Sequence, residues 1–515
     1  MRWNATADPE SLAALVPGAV PGATTMVGVS AALTGAHLGI LDVPNVAVES
    51  TLRRLLAALA MRISGLHTGN LEAWEDRFDE LIDAGHLDPA AVAAYCTKWA
   101  DRLDLYHPAR PFLQDPRLAD ECSTLAPPGK LCMTRASGNS QPWTDRTPQG
   151  EPLTPHEALW WILVWRGYGP CGLGANRNHQ GVTHKSMAAA PLRAAISWHP
   201  HAGNEFHSLL LSCPPPDVIA LAGLDLPEWE QDTLPDPLRP ELPTGPVSRL
   251  INRAAHAVHT IPDPGTGRVT GCRIAWRTPV PTAIKTVSGK KALETAAEAI
   301  AAAGDPFLIN RLKGGPVRAN HRRTMLRDVE TLIHARRGDD TTNGVTLPTW
   351  LRVLDSLPAD VLDRIGPVRA RALGCHQDKQ EKEELWYAYT TPVSIADCLA
   401  GSHPERAALI TRTRQTAEDT AKALAAALKT AWRGMSPDPR SECAWLDNTL
   451  AAYWDRAESR FWTAINDGPD PNLLALAVDL YDDATRVDAS TPTGLMPIAI
   501  ARAQLANPKA KRTRT

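Results

Sequence analysis

The sequence predicts a mixed α+β chain, with a large irregular α/β N-terminal domain over residues 1–395 and a C-terminal four-helix bundle over 396–515. Three observations carry this. The 515 residues exceed the roughly 150 expected of one domain. Before about residue 395, short apolar runs are broken by many of the chain's 44 prolines and 34 glycines, which marks a loop-rich α/β region. After Ser402 the apolar residues recur at helical spacing in four stretches joined by short connections, for which a bundle is the economical packing.

Composition narrows the function classes. Hydrophobic residues at 43% and charged residues at 22% describe a globular chain. The net charge of −3 lacks the basic excess of a protein that coats nucleic acid by itself, so any nucleic-acid contact is local or shared with partners. Sixteen Trp against 5 Phe and 7 Tyr supply large anchors that still donate from the indole nitrogen. The nine cysteines contain no C-x-x-C, the opening residues are polar, and no apolar run reaches about 18 residues. The expectation is a cytoplasmic protein with no membrane partner, no cofactor and free thiols.

In chain order, residues 1–45 give no clear element. Val46 to Leu66 places Leu52, Leu55, Leu56, Leu59 and Ile63 on one helix face and stops at Gly65. A second helix follows over Leu71 to Ala84, and Asp88-Pro89 caps a third. The proline-fixed segment 105–118 is an extended connector carrying His107, read as structural, and the conspicuous Gln114. Residues 119–153 read as a long loop, and Thr154-Pro155-His156-Glu157 as a capping box opening a Trp-rich helix. Glu205 to Cys213 reads as a strand. Arg268 to Trp276 alternates after a Gly-rich turn and reads as one hairpin arm. Lys290 to Ala303 reads as a helix, and Arg369 to Glu384 as a strand entering a dense polar turn. Ser402-His-Pro-Glu405 reads as a further capping box.

Three stretches carry candidate chemistry. Gly167 to Gly174 is dense enough in glycine for a backbone to approach another molecule, but it follows a helix and lacks the Lys-Ser/Thr of a phosphate loop. Cys171, His179, His184, His199, His201, His207 and Cys213 invite a metal-dependent hydrolase on the 179–207 segment, the alternative reading, although no zinc-ribbon or H-E-x-x-H spacing appears. Arg311, Lys313, Arg318, Arg322, Arg323 and Arg327 run without an acid between Phe307 and Arg327. This suits phosphate contact, and equally a solvated helix face.

Five ordered marks give the chain its resemblance to a family. They are His-Pro-Ala-Arg-Pro-Phe-Leu-Gln at 107–114; Leu153-Thr-Pro-His-Glu-Ala-Leu-Trp-Trp followed by Tyr168-Gly-Pro-Cys-Gly; Gly245-Pro-Val leading to the hairpin at 268; Arg371-Ala-Leu-Gly ending in Gln380; and the terminal bundle. Together they resemble the large subunit of the type I-E CRISPR surveillance complex Cascade, the CasA family. The resemblance implies a non-catalytic subunit that recognises the protospacer-adjacent motif on double-stranded DNA, helps start strand separation and R-loop formation, and docks a helicase-nuclease. The implied partners are double-stranded target DNA and the CRISPR RNA-bound backbone, small and guide 5′-end subunits.

The same resemblance assigns Gln380, with Lys379 beside it, to the tip of a wedge hairpin. It assigns Gly172 and Gly174 to a minor-groove glycine loop, and the 137–149 loop, with Asn139, to a contact with complex and DNA. Arg273, Arg277 and Lys285 compete for the family's minor-groove lysine. The sequence departs from the family at its start, where only an isolated Trp3 stands in place of a short Trp-Ile-Pro-Val-like strand. It departs again at the tip, where Glu381, Glu383 and Glu384 add acids that DNA would repel.

Overall fold

The structure is a computed structural model. It describes residues 14–17, 24–34, 43, 45–135, 147–216, 224–302, 304–311, 315–319, 325–333, 345–377, 383–399, 403–436, 438, 441–468 and 470–507. The chain divides into two compact units, residues 1–319 with 337–390, and residues 320–336 with 391–515.

In the first unit β1 (Ala14–Pro17) and β2 (Thr24–Val27) form an antiparallel pair before α1 (Val29–Thr34), elements that the sequence pattern does not announce. α2 (Val46–Ser64) starts at Asn45, whose side chain accepts from Ala47 N–H, and ends at Gly65 in the left-handed region. It is buried along nearly its whole length and is the helix around which the unit packs. α3 (Leu71–Ala84) and α4 (Pro89–Lys98) follow, and Asp88 caps α4 as expected. The connector after them is fixed from within. Gln114 donates to Leu105 O and accepts from both the amide and hydroxyl of Thr260, while His107 Nδ1 accepts from Arg110 N–H.

The described parts of the stretch, 119–135 and 147–153, are more ordered than expected. The first opens with α5 (Leu118–Glu121), and Ala126 and Leu153 bridge to Cys272 and Val269 of the hairpin that follows later in the chain. α6 (Pro155–Tyr168) has the predicted capping box, with Thr154 and Glu157 bonding each other's backbone N–H. The glycine-rich segment after it is an antiparallel hairpin, β3 (Gly172–His179) and β4 (Val182–Met187), irregular between Leu173 and Arg177.

β5 (Ile196–His201) leads to α7 (Glu205–Leu211), which corrects the strand expected at Glu205 to Cys213. Asn204 caps the first turn through His207 N–H, and the Leu-Leu-Leu run buries its side chains as part of a helix. α8 (Pro246–Ile251) precedes the hairpin β6 (His256–Pro262) and β7 (Val269–Trp276), then α9 (Val287–Ala302). β8 (Asn310–Arg311), β9 (Gly315–Pro316) and β10 (Val345–Thr346) make a small sheet.

The second unit takes α10 (Leu326–Ile333), which packs on a helix of the terminal bundle introduced below. The first unit resumes with α11 (Trp350–Ser356), α12 (Ala359–Ile365), β11 (Arg369–Gln377) and β12 (Glu383–Thr390). β11 lies between β12 and β5 in an antiparallel sheet.

The rest of the second unit is α13 (Pro404–Met435), α14 (Leu446–Asp467), α15 (Leu473–Thr485) and α16 (Leu495–Ala506). Leu424, Leu428, Phe461, Trp462, Leu476 and Ile498 form its core. Tyr453 and Tyr481 are fully buried and donate to Ala417 O and Ile498 O, so their hydroxyls are satisfied. The capping box expected at Ser402 does not form as read: His403 is the N-cap and makes no side-chain cap bond, and Ser402 lies outside the described residues. Among the described residues no helix is long and apolar enough to cross a membrane.

Candidate nucleic-acid interface

The hairpin of β11 and β12 is anchored at its base by buried charge. Arg371 on β11 bonds Glu49 of α2 through Nη2 at 2.7 Å, and Glu49 also accepts from Arg53 Nε at 3.0 Å. Arg53 reaches on to Glu205 at 2.7 Å. Burial raises the Glu49 carboxyl, but Arg53 and Arg371 outweigh it and hold the group below the usual carboxylate range. This chain of ions was missed in the sequence. The signal was present, since Glu49 and Arg53 stand four residues apart inside an apolar stripe.

The same sheet brings a cation to the tip-ward end of the hairpin. Ile196 of β5 pairs with Gly374 of β11, and Ala195 bridges to Arg318 on the opposite edge of β5. Arg318 is exposed and stands level with the last described residues of β11, two ladder steps or about 10 Å away. The tip beyond, with Lys379 and Gln380, lies outside the described residues, as do Asn139, Arg322 and Arg323.

A second surface forms around the glycine hairpin. Gly172 is exposed at φ +138°, and a Cβ built on it would meet no atom within 4 Å. Gly174 faces inward: its Cβ would lie 2.5 Å from Met187 Sδ and 2.8 Å from Ile274 O, so close packing of β3 on β4 and β7 requires glycine there. Tyr168, the last residue of α6, connects the two surfaces. Its ring meets Trp386 of β12 edge-on at 5.6 Å, and its hydroxyl donates to Ser50 Oγ of α2 at 2.9 Å. His256 steadies the start of the glycine segment through Nε2 to Pro170 O at 2.9 Å.

The three competing cations separate by environment. Arg277 is committed internally to Glu228, at 3.0 Å between Nη2 and Oε2, which removes it from the groove candidates. Arg273 is half-buried and donates from Nε to Cys122 O at 3.1 Å. Lys285 is exposed, just beyond the short turn Pro281–Ala283 that packs on β4. Arg327 likewise drops out of the basic run, because it pairs with Glu418 at 2.7 Å and lies over Trp454.

The histidine-rich segment does not converge. His179 bonds Glu121 at 2.6 Å, His184 stacks on Trp276 at 4.9 Å, and His199 is buried against Ser197 and Ser50. Among the described residues no group of three His, Cys, Asp or Glu side chains is placed to hold a metal ion. None of the nine cysteines forms a disulfide among the described residues.

The chain is similar to a solved CRISPR RNA-guided surveillance complex chain at 29% identity and TM-score 0.81, covering 98% of this chain and 99% of that one. It shares the fold of Thermus thermophilus CasA (Cse1), at TM-score 0.69 and 19% identity, covering 98% of this chain and 99% of that one. A curated CRISPR-associated protein CasA/Cse1 of Thermus thermophilus is 31% identical over 222 residues. That match covers 42% of this chain and spans only 40% of the relative's own length. The family model for CRISPR-associated protein Cse1 matches residues 19–477, most of the sequence, and the chain belongs to that family.

Proposed function

We propose that the chain is the non-catalytic large subunit of a type I-E CRISPR RNA-guided surveillance complex. In this reading it recognises the protospacer-adjacent motif on double-stranded DNA, helps open the duplex, and docks a helicase-nuclease. Its partners are the guide-RNA-bound subunits of the complex, and residues 1–395 carry recognition while 396–515 form the bundle. Similarity to surveillance-complex chains supports the assembly role.

The observation that carries the DNA reading is the ladder that sets exposed Arg318 level with the tip-ward end of the β11–β12 hairpin. A wedge needs a fixed base and a nearby cation to hold the displaced phosphates, and this sheet supplies both. Gly172 and Lys285 make the second contact: an exposed backbone and one cation suit the degenerate minor groove. Opening costs about 1.4 kcal/mol per base-pair step and is nearly balanced by guide pairing, so the wedge has only to assist nucleation.

The test uses the assembled complex. Replacing Lys379 and Gln380 by Ala should slow opening of cognate duplex with little change in its first encounter. Arg318→Ala and Lys285→Ala should each lower the salt slope of duplex binding by about one phosphate contact. Unchanged opening and unchanged salt slopes would remove the assignment.

A further inference from the structure

We propose that the first unit holds a site for one compact anion, anchored by Arg249 in a cavity of about 30 Å³ walled by α2, α6 and α8. Arg54, Arg166, Arg249 and Arg253 line it, and Asp305 is the one carboxylate among its lining residues. The volume holds about two waters, which selects a halide or a single oxyanion group and excludes a nucleotide.

Three of the guanidinium groups are engaged. Arg54 makes two bonds to Asp305, at 2.7 and 2.8 Å. Arg166 bonds Glu228 at 2.6 Å and Ile251 O at 2.9 Å, and Arg253 bonds Gly304 O at 2.7 Å while standing 3.9 Å from Asp305. Arg249 is different. It is 9% exposed, its Nε is buried without a partner as are those of Arg54 and Arg253, and it alone of the four has no carboxylate paired with it among the described residues.

The nearby acids are already used. Glu228 is shared with Arg277, and Asp225 accepts the amides of Val247 and Ser248 at 2.8 Å each. Burial and neighbouring Arg253 push Arg249 down to about 10, so it still carries its charge at neutral pH. A buried charge without a counter-ion is unfavourable, and an anion entering the cavity removes that penalty. The inference is independent of any DNA contact.

The test is thermal unfolding of the full chain in chloride, phosphate or bulky gluconate at equal ionic strength. Chloride or phosphate should raise Tm by about 2 °C or more over gluconate, and whichever is stronger tells halide from oxyanion. Arg249→Met should abolish the difference while melting no lower than the wild type in gluconate, since it deletes the unpaired charge. Equal Tm in all three salts, an undiminished anion effect in Arg249→Met, or a loss of Tm in that variant independent of the anion overturns the site. If Arg249→Met does not fold, calorimetric titration of the wild type with chloride and phosphate decides. Saturable single-site binding, weakened at least tenfold in Arg253→Met, supports the site, and no saturable binding overturns it.

Discussion

In the first unit α2 buries Glu49, Arg53 and Arg54 in its core face, whereas α13 in the second buries Ile410, Ala417, Leu424 and Leu428 and exposes Glu405, Arg412 and Lys422. The contrast extends through each unit. The first encloses Asp115, Arg166, Arg177, Glu228 and Asp305 along with His199 and His256, while the buried carboxylates of the second, among the described residues, are Asp328 and Glu458. Apolar packing tolerates small adjustments between helices. An internal ion network does not, because a shifted partner leaves a bare charge in a medium of low dielectric. The unit that carries the candidate hairpin is therefore the one whose internal geometry is fixed by charge.

Acid should break the comparison most strongly, because several groups titrate together. Burial, with help from nearby arginines, pushes His256 and His201 from 6.5 down to about 4, and places His199 well below its ordinary value. These histidines are neutral in the fold, and the unfolded chain binds their protons more readily. Stability therefore falls as pH drops from about 6.5 through about 4. Glu49 and Asp305 are held below the usual carboxylate range and Glu228 at about 2, so the loss continues towards that pH as these groups protonate. Hydrogen exchange, corrected for intrinsic rates, should lose protection in α2, β5 and β11 before α13 to α16 when the pH moves from 7 to 4.5. Simultaneous loss in both units would remove the distinction.

A smaller effect follows from one side chain. Asp305→Ala leaves Arg54 and Arg253 without their carboxylate and should cost about 3–5 kcal/mol in urea unfolding, with protection of α13 and α14 unchanged. A cost below about 1 kcal/mol would mean that the network is solvated and not structural.

The smallest effect sharpens the contrast within the glycine hairpin. Gly174→Ala pushes a methyl into Met187 and Ile274 and should cost about 1–3 kcal/mol. Gly172→Ala meets open space and should cost about 1 kcal/mol, from its backbone conformation alone. Equal losses at the two positions would argue that both glycines serve the same purpose.

Much of the architecture was legible because local signals and final structure agree. The capping box at Thr154, the caps at Asp88 and Gly65 and the apolar stripes of the bundle each depend on residues within one or two turns. The misreading at Glu205 has the opposite cause. A short apolar run fits a strand or a buried helix equally, and the Asn204 cap decided it. The histidines do not converge because nearness in sequence says nothing of position: His199 and His201, two apart, share a face of β5, while His179 and His184 sit on different arms of another hairpin.

The sequence by itself determined the mixed α+β class and the main helices, because these rest on period and capping within short windows. Tertiary structure alone decided which charges are free. Arg277 and Arg327 look no different from Arg318 and Lys285 in the sequence, yet the first two are spent on Glu228 and Glu418 and the last two remain exposed. A cation's availability depends on partners 49 or 91 residues away, and only the folded chain brings those carboxylates within bonding distance.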